Sequence, residues 1–120
     1  MIERIVTGFP RLVAFKLQGI LHDDDYRTFV PAIEAELANH GKLRLLAYLE
    51  DFEGWDLRAA WDDFSFGLKH YDDFDRFAVV GDRAWEKWMA KLGKAFTAAE
   101  VRYFSHADMD QAWAWLREGL

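Results

Sequence analysis

Leu43-Arg-Leu-Leu-Ala-Tyr-Leu49 is an apolar run with a single charged residue, Arg44, bounded by Gly41 on one side and by Glu50-Asp-Phe-Glu-Gly54 on the other. It is too short to cross a bilayer and of strand length. An apolar run of that kind is what a parallel sheet covered on both faces requires. Upstream, His22-Asp-Asp-Asp25 supplies acidic N-cap and first-turn chemistry for a helix carrying Phe29, Ile33 and Leu37 on one stripe. That helix contains Pro31, runs to about Asn39 and stops at His40-Gly41, where glycine suits a left-handed cap. Before it, Ile2–Val6 and Arg11–Gln18 read as two strands joined by a tight hairpin at Gly8-Phe9-Pro10. Downstream, Glu50–Trp55 reads as a loop, and a second helix spans about Trp55 to Lys69. Arg76–Val80 is the next strand, closed by Gly81-Asp82, and a third helix runs from Arg83 to about Phe96. Glu100–Phe104 is the last strand. Asp108 and Gln111 open a final helix with Met109, Ala112, Trp113 and Leu116 on its inner stripe. The expected fold is α/β: a single layer of about five mostly parallel strands, with an N-terminal antiparallel hairpin and four helices.

A chain of 120 residues without repeats or linkers accommodates one domain, residues 1–120. There is no cysteine, so disulfide and thiol chemistry are excluded. The start shows no signal-peptide pattern and no apolar run is long enough for a membrane span, so the expected location is cytoplasmic. Fifteen basic against 21 acidic side chains, net −6, argue against nucleic acid as a partner, because sequence-independent binding rests on neutralised phosphates.

Twenty of the 120 residues are aromatic, more ring surface than one small core consumes, so the destination of the surplus is the functional question. On the second helix, Leu57, Ala60, Trp61, Phe64 and Leu68 follow helical spacing and are expected to face the sheet. Trp55, Ala59, Asp62 and Phe66 then fall on the opposite side, leaving Trp55 and Phe66 either to pack under a neighbouring helix or loop or to wall a pocket or patch. On the third helix, Arg83, Lys87, Lys91 and Lys94 line one side, opposed only by Glu86, while Trp85, Trp88, Met89, Leu92 and Phe96 occupy the rest. A basic stripe beside Trp and Leu is the composition of a helix that lies on an anionic membrane surface, and equally of a core helix with a solvated lysine face.

Catalytic constellations are weak. Glu50, Asp51 and Glu53 follow the central strand, where open α/β sheets place ligands, but a solvated acidic loop gives no sign of the split pKa values an acid/base pair needs. His22, His40, His70 and His106 are scattered over helix ends and loops, without the spacing of helical metal ligands. Neither serine, Ser65 or Ser105, sits in a nucleophile-elbow context. No enzymatic activity, metal or cofactor is expected.

The segments KLRLLAYLEDFEGWDLRAAWDDFSFGLKHYDDFDRFAVVGDRAWEKWMAKL (Lys42–Leu92) and AEVRYFSHADMDQAWAWLREG (Ala99–Gly119) resemble the bacterial SpoIIAA-like family, whose fold is related to the STAS domain and more distantly to CRAL-TRIO lipid-binding domains. The most distinctive marks are Glu50–Asp56, Gly67-Leu-Lys-His70 and Val79–Trp88. The resemblance implies the α/β fold reached above, the absence of known enzymatic activity, and reversible membrane association or apolar-ligand binding through movement of the second and third helices. STAS regulators of anti-sigma factors carry a phosphorylatable serine on the loop after the central strand. Here that place holds Asp51 to Asp56 with no Ser or Thr, so the resemblance does not extend to that switch.

The resulting expectation is a non-enzymatic binding module. Trp55, Phe66, Trp85, Trp88 and Met89 are the apolar contacts to a small apolar molecule or an anionic lipid surface, with Lys87, Lys91 and Lys94 meeting headgroups at the inner membrane surface. The alternative is a STAS-like regulatory module that binds a protein through the acidic residues Asp51, Glu53 and Asp56, or that forms a homodimer through its apolar patch.

Overall fold

The computed structural model describes residues 1–120. Its strands are β1 (Ile2–Ile5), β2 (Leu12–Leu21), β3 (Leu43–Trp55), β4 (Phe74–Gly81) and β5 (Glu100–Ser105). Its helices are α1 (Asp23–His40), α2 (Leu57–Lys69), α3 (Ala84–Gly93) and α4 (Met109–Arg117), with a 3-10 turn over Lys94–Phe96 after α3. The sheet order is β1-β2-β3-β4-β5, antiparallel between β1 and β2 and parallel elsewhere. This is the α/β architecture expected from the sequence.

Strand order that never reverses, combined with right-handed crossovers, sends every crossover helix to one face of the sheet. Side chains of one strand alternate between faces, and the core divides accordingly. Ile33 of α1, Ala59 of α2 and Ala90 of α3 pack over the face that carries Val13, Phe15, Leu45, Leu49 and Val79. On the other face, Ala112, Trp115 and Leu116 of α4 meet Leu12, Ala14, Leu46, Ala78 and Val80. Trp115, not Trp113, is the buried indole of α4. Arg76 donates from Nη1 to the Trp115 carbonyl at 2.6 Å, and Arg44 donates to the Leu116 carbonyl at 2.9 Å. Both satisfy carbonyls that the helix end leaves open.

β3 is longer than its apolar run. Instead of ending in a loop after Leu49, the strand continues to Trp55 and pairs with β2 as far as Leu21. Register shifts around Gly19 absorb the irregularity, with Asp51 in the left-handed region at φ 48° and Gly54 at φ 106°. Acidic and glycine residues that signal a loop are here the marks of bulges in a strand. Phe52 is fully buried, whereas Asp51 and Glu53 on either side of it are exposed.

α2 is oriented opposite to expectation. Ala59 is buried and Phe66 half-buried, whereas Leu57 is 94% exposed, Trp61 66% and Leu68 52%. The cause is a set of polar contacts along the side of α2 that meets α1 and its flanks. His22 Nδ1 lies 2.7 Å from the Asp56 carboxylate, which also caps α2 by accepting from Ala59 N at 2.8 Å. Tyr26 donates to Asp63 Oδ1 at 2.9 Å and accepts from Trp55 Nε1 at 2.7 Å. Lys69 pairs with Glu34 at 2.7 Å. The ring of His70, expected as a solvated helix end, is buried between Asp73 and Glu34 at 2.6 and 3.2 Å. These partners lie on the side of α2 that carries Ala59 and Phe66, so they turn the apolar stripe away from the sheet.

Burial, then the adjacent Asp63 carboxylate, pushes the Tyr26 hydroxyl far above the usual phenol range. Burial raises the Asp63 carboxyl as well, and the Tyr26 hydrogen bond acts in the opposite direction. A folded state that holds this proton more tightly than the unfolded chain loses stability as pH rises from the ordinary carboxylate range through the raised value.

Two outcomes follow from this packing. Leu116→Ala empties a fully buried site under α4 and lowers unfolding free energy by about 2–5 kcal/mol, read by urea denaturation. Tyr26→Phe leaves the Trp55 N–H without its acceptor and costs about 1–3 kcal/mol. The same variant raises the Asp63 pKa further, so in urea titrations at several pH values the loss of stability on ionising Asp63 shifts to higher pH.

Candidate functional site

The face covered by α1, α2 and α3 is not filled. A cavity of about 370 Å³, open to solvent, lies between the sheet and the helices α2 and α3, and 22 of its 27 lining residues are hydrophobic. Protein interiors tolerate few voids larger than a water molecule, and pockets of about 300–1,000 Å³ are those that hold small molecules. Its origin is local. The helices present Ala60 and Gly67 from α2 and Ala90 and Gly93 from α3 to the cavity, too small to reach across it, while the floor holds large rings such as Phe15, Phe74 and Phe77.

Three of the five expected apolar contacts line this cavity: Trp55, Phe66 and Met89. Trp55 is held by its hydrogen bond to Tyr26 and by an edge-on contact with Phe52 at 5.1 Å. Phe66 packs between Phe29 and Phe74. Trp85 does not line the cavity; it stacks on Phe52 at 5.6 Å. Trp88 also lies outside it and is 65% exposed, in line on α3 with the exposed Leu92.

The apolar rim of the cavity is therefore built largely from residues read as core. Trp61 packs on Phe64, and Phe64 meets Phe96 edge-on at 5.3 Å, so α2 and the turn after α3 touch through aromatic side chains. Leu57, Trp61 and Leu68 stand exposed on the same helical stripe of α2 as Phe64, and Trp88 on that of Leu92, and Phe64 and Leu92 line the cavity. Their helical spacing was visible in the sequence. What the spacing lacked was the direction, because it does not distinguish a stripe facing a sheet from one facing outward.

Lys87, Lys91 and Lys94 are exposed and make no ion pair with any carboxylate within 4 Å. They line a shallow depression of about 280 Å³ on the β5 side of α3, together with Arg102 and Tyr103. The helix thus separates its cations and its exposed rings onto adjacent faces, one turned to β5 and the other to the cavity rim. The start of α3 is fixed differently. Glu86 is fully buried, and its Oε1 accepts from the backbone N–H groups of Asp82 and Arg83 at 3.1 and 3.0 Å, while Oε2 has no partner. A Cβ on Gly81 would lie 2.6 Å from that Oε1, so only glycine leaves the carboxyl its place.

The acidic residues do not form one loop. Asp51 and Glu53 project from the outer part of β3, and Asp56 is committed to the cap of α2 and to His22. Glu50 pairs with Lys16 at 3.4 Å. His106 bonds the Leu49 carbonyl at 2.7 Å, and His40 lies 3.5 Å from Glu36. No group of three or more His, Asp or Glu side chains is arranged to hold a metal ion. No helix is long and apolar enough to cross a membrane.

The SpoIIAA-like family model matches residues 12–117. A solved structure is similar throughout: the crystal structure of an uncharacterized protein of the DUF3478 family with a SpoIIAA-like fold, from Shewanella loihica PV-4. It is 31% identical with a TM-score of 0.81, covering 97% of this chain and 92% of that one. No curated protein is similar enough to match. The family model takes in every helix and all but the first strand, and the solved relative shares the same architecture: the chain belongs to the SpoIIAA-like family.

Proposed function

We propose that this protein is a non-enzymatic, STAS-like binding module that takes up a small apolar ligand between α2 and α3 and docks reversibly on anionic membrane surfaces through the rim of that cleft. The observation that carries the reading is the open apolar cavity of about 370 Å³, bordered by rings and leucines that no other part of the chain covers. Each buried methylene of a ligand contributes about 0.8 kcal/mol, so a chain of modest length binds without a covalent or ionic anchor. The rim and the lysines supply the second half of the reading. Partial insertion of Trp61, Leu68, Trp88 and Leu92 removes apolar area from water, and each cation near an anionic leaflet adds about 1 kcal/mol. Association of that size is weak and salt-sensitive, as suits a protein that visits a surface and leaves it.

A second reading rests on the α2 side of the rim, where Leu57, Trp61 and Leu68 are exposed: the same stripe suits a second copy of this chain. Sedimentation with anionic vesicles separates the two. The protein is expected to pellet with phosphatidylserine-containing vesicles at low salt and to be released at high salt. The triple variant Lys87→Ala, Lys91→Ala, Lys94→Ala weakens binding by roughly 100-fold, the equivalent of about 1 kcal/mol per lost cation. No binding at low salt removes the membrane half. A dimer whose size-exclusion mass is unchanged by detergent and whose Trp61 is protected assigns the rim to self-association instead.

A further inference from the structure

We propose that the cavity selects an amphiphile whose polar end donates a hydrogen bond, a primary amine or an alcohol, and rejects one ending in a carboxylate, because its only uncommitted ionisable group is the carboxyl of Asp63. The inference rests on the ligand-binding reading above and deepens it. Three titratable side chains line the cavity, Tyr26, Asp63 and His70. The Tyr26 hydroxyl donates its hydrogen bond to Asp63 Oδ1 and accepts one from the Trp55 N–H. His70 has both ring nitrogens engaged, by Asp73 and Glu34. Thr97, another polar lining residue, is likewise occupied, with Oγ1 donating to the Tyr71 carbonyl and accepting from Ala99 N.

Asp63 differs from these. It accepts one hydrogen bond on Oδ1, and Oδ2 makes none within the protein. No Lys or Arg lines the cavity to balance it, and no cation lies within 4 Å of its carboxylate. Asp63 is among the exposed residues of the lining, and the partial loss of solvent around its carboxyl raises its pKa. The hydrogen-bond chain runs Trp55 N–H to Tyr26 to Asp63, every donor pointing toward the carboxyl, so the chain ends on an acceptor that faces the cavity.

A ligand entering this space displaces the water that solvates Oδ2. An acceptor that a bound ligand takes out of water without offering it a donor is costly, and a charged one more so. An ammonium group supplies both a donor and the missing counter-charge, a hydroxyl supplies a donor alone, and a carboxylate brings like charge to a group already penalised for its own. The apolar tail lies against the rings of the floor in all three cases, so the headgroup alone sets the order.

The test compares decylamine, decanol and decanoate, identical in tail, by displacement of a hydrophobic dye from the wild-type protein and by native mass spectrometry. The expected order is amine, then alcohol, then carboxylate, with decanoate weaker than decylamine by at least about tenfold. In Asp63→Asn, which keeps the shape and removes the charge, the preference for amine over carboxylate falls to within about threefold, while decanol binds as before. Wild-type thermal unfolding with each probe gives the same order without a variant, should Asp63→Asn fold poorly. Decanoate binding as tightly as decylamine overturns the inference and leaves the ligand-binding reading standing. Failure of all three probes to bind overturns both.

Discussion

A sheet whose strands follow one another in chain order, with each parallel crossover turning the same way, has no choice about where its helices go. α1, α2 and α3 must share one face, and α4 takes the other alone. The α4 face closes around Trp115 and Leu116, with two arginines from the strands holding the helix end. The three-helix face depends on how the helices divide the width of the sheet. α2 leans on α1 through Tyr26–Asp63, Glu34–Lys69 and His70, and α3 is anchored at its start by Glu86. Between them the space is left to small residues, and the cavity follows.

The polarity of α2 is the second consequence. A helix with its apolar stripe turned outward is unstable in isolation from a partner unless its other side is secured, and here that side is secured by hydrogen bonds and ion pairs rather than by grease. Ala59 and Phe66 are the α2 side chains that join the core clusters over the sheet. The exposed leucines and indoles are therefore free to serve something outside the chain, which is why the rim and the cavity are parts of a single arrangement.

Much of the fold was legible in the residues. Leu43–Leu49 announced a buried parallel strand, Gly41 ends α1 at φ 74°, and the Gly81-Asp82 break leads into α3. What was not legible came from tertiary contacts. Asp51 and Gly54 read as a loop because bulges use the same residue types as turns, so the length of β3 was missed. The facing of α2 was inverted because periodicity identifies a stripe but not its neighbour. Asp63 went unremarked since one acid among the many on α2 and its flanks gains meaning only beside Tyr26 and an apolar void. Trp55, Phe66 and Met89, expected as apolar contacts, do line the cavity, although Trp55 and Phe66 reach it from the sheet side of α2 and not from its outer face.

The buried carboxyl of Glu86 bears on how α3 can travel. Its two backbone donors belong to Asp82 and Arg83, at the junction of β4 with the helix, so sliding α3 along its axis would strip the group of both partners. The far end passes through Gly93 into a single tight turn, where Phe96 meets Phe64 of α2 and the Ala98 N–H and Thr97 hydroxyl then bond the Tyr71 carbonyl. A rod held at both tips keeps its place along the sheet, so it cannot slide over to fill the gap beside α2. The hollow in the interior is thus kept open by where the ends of the helix are fastened, as much as by what its middle leaves out.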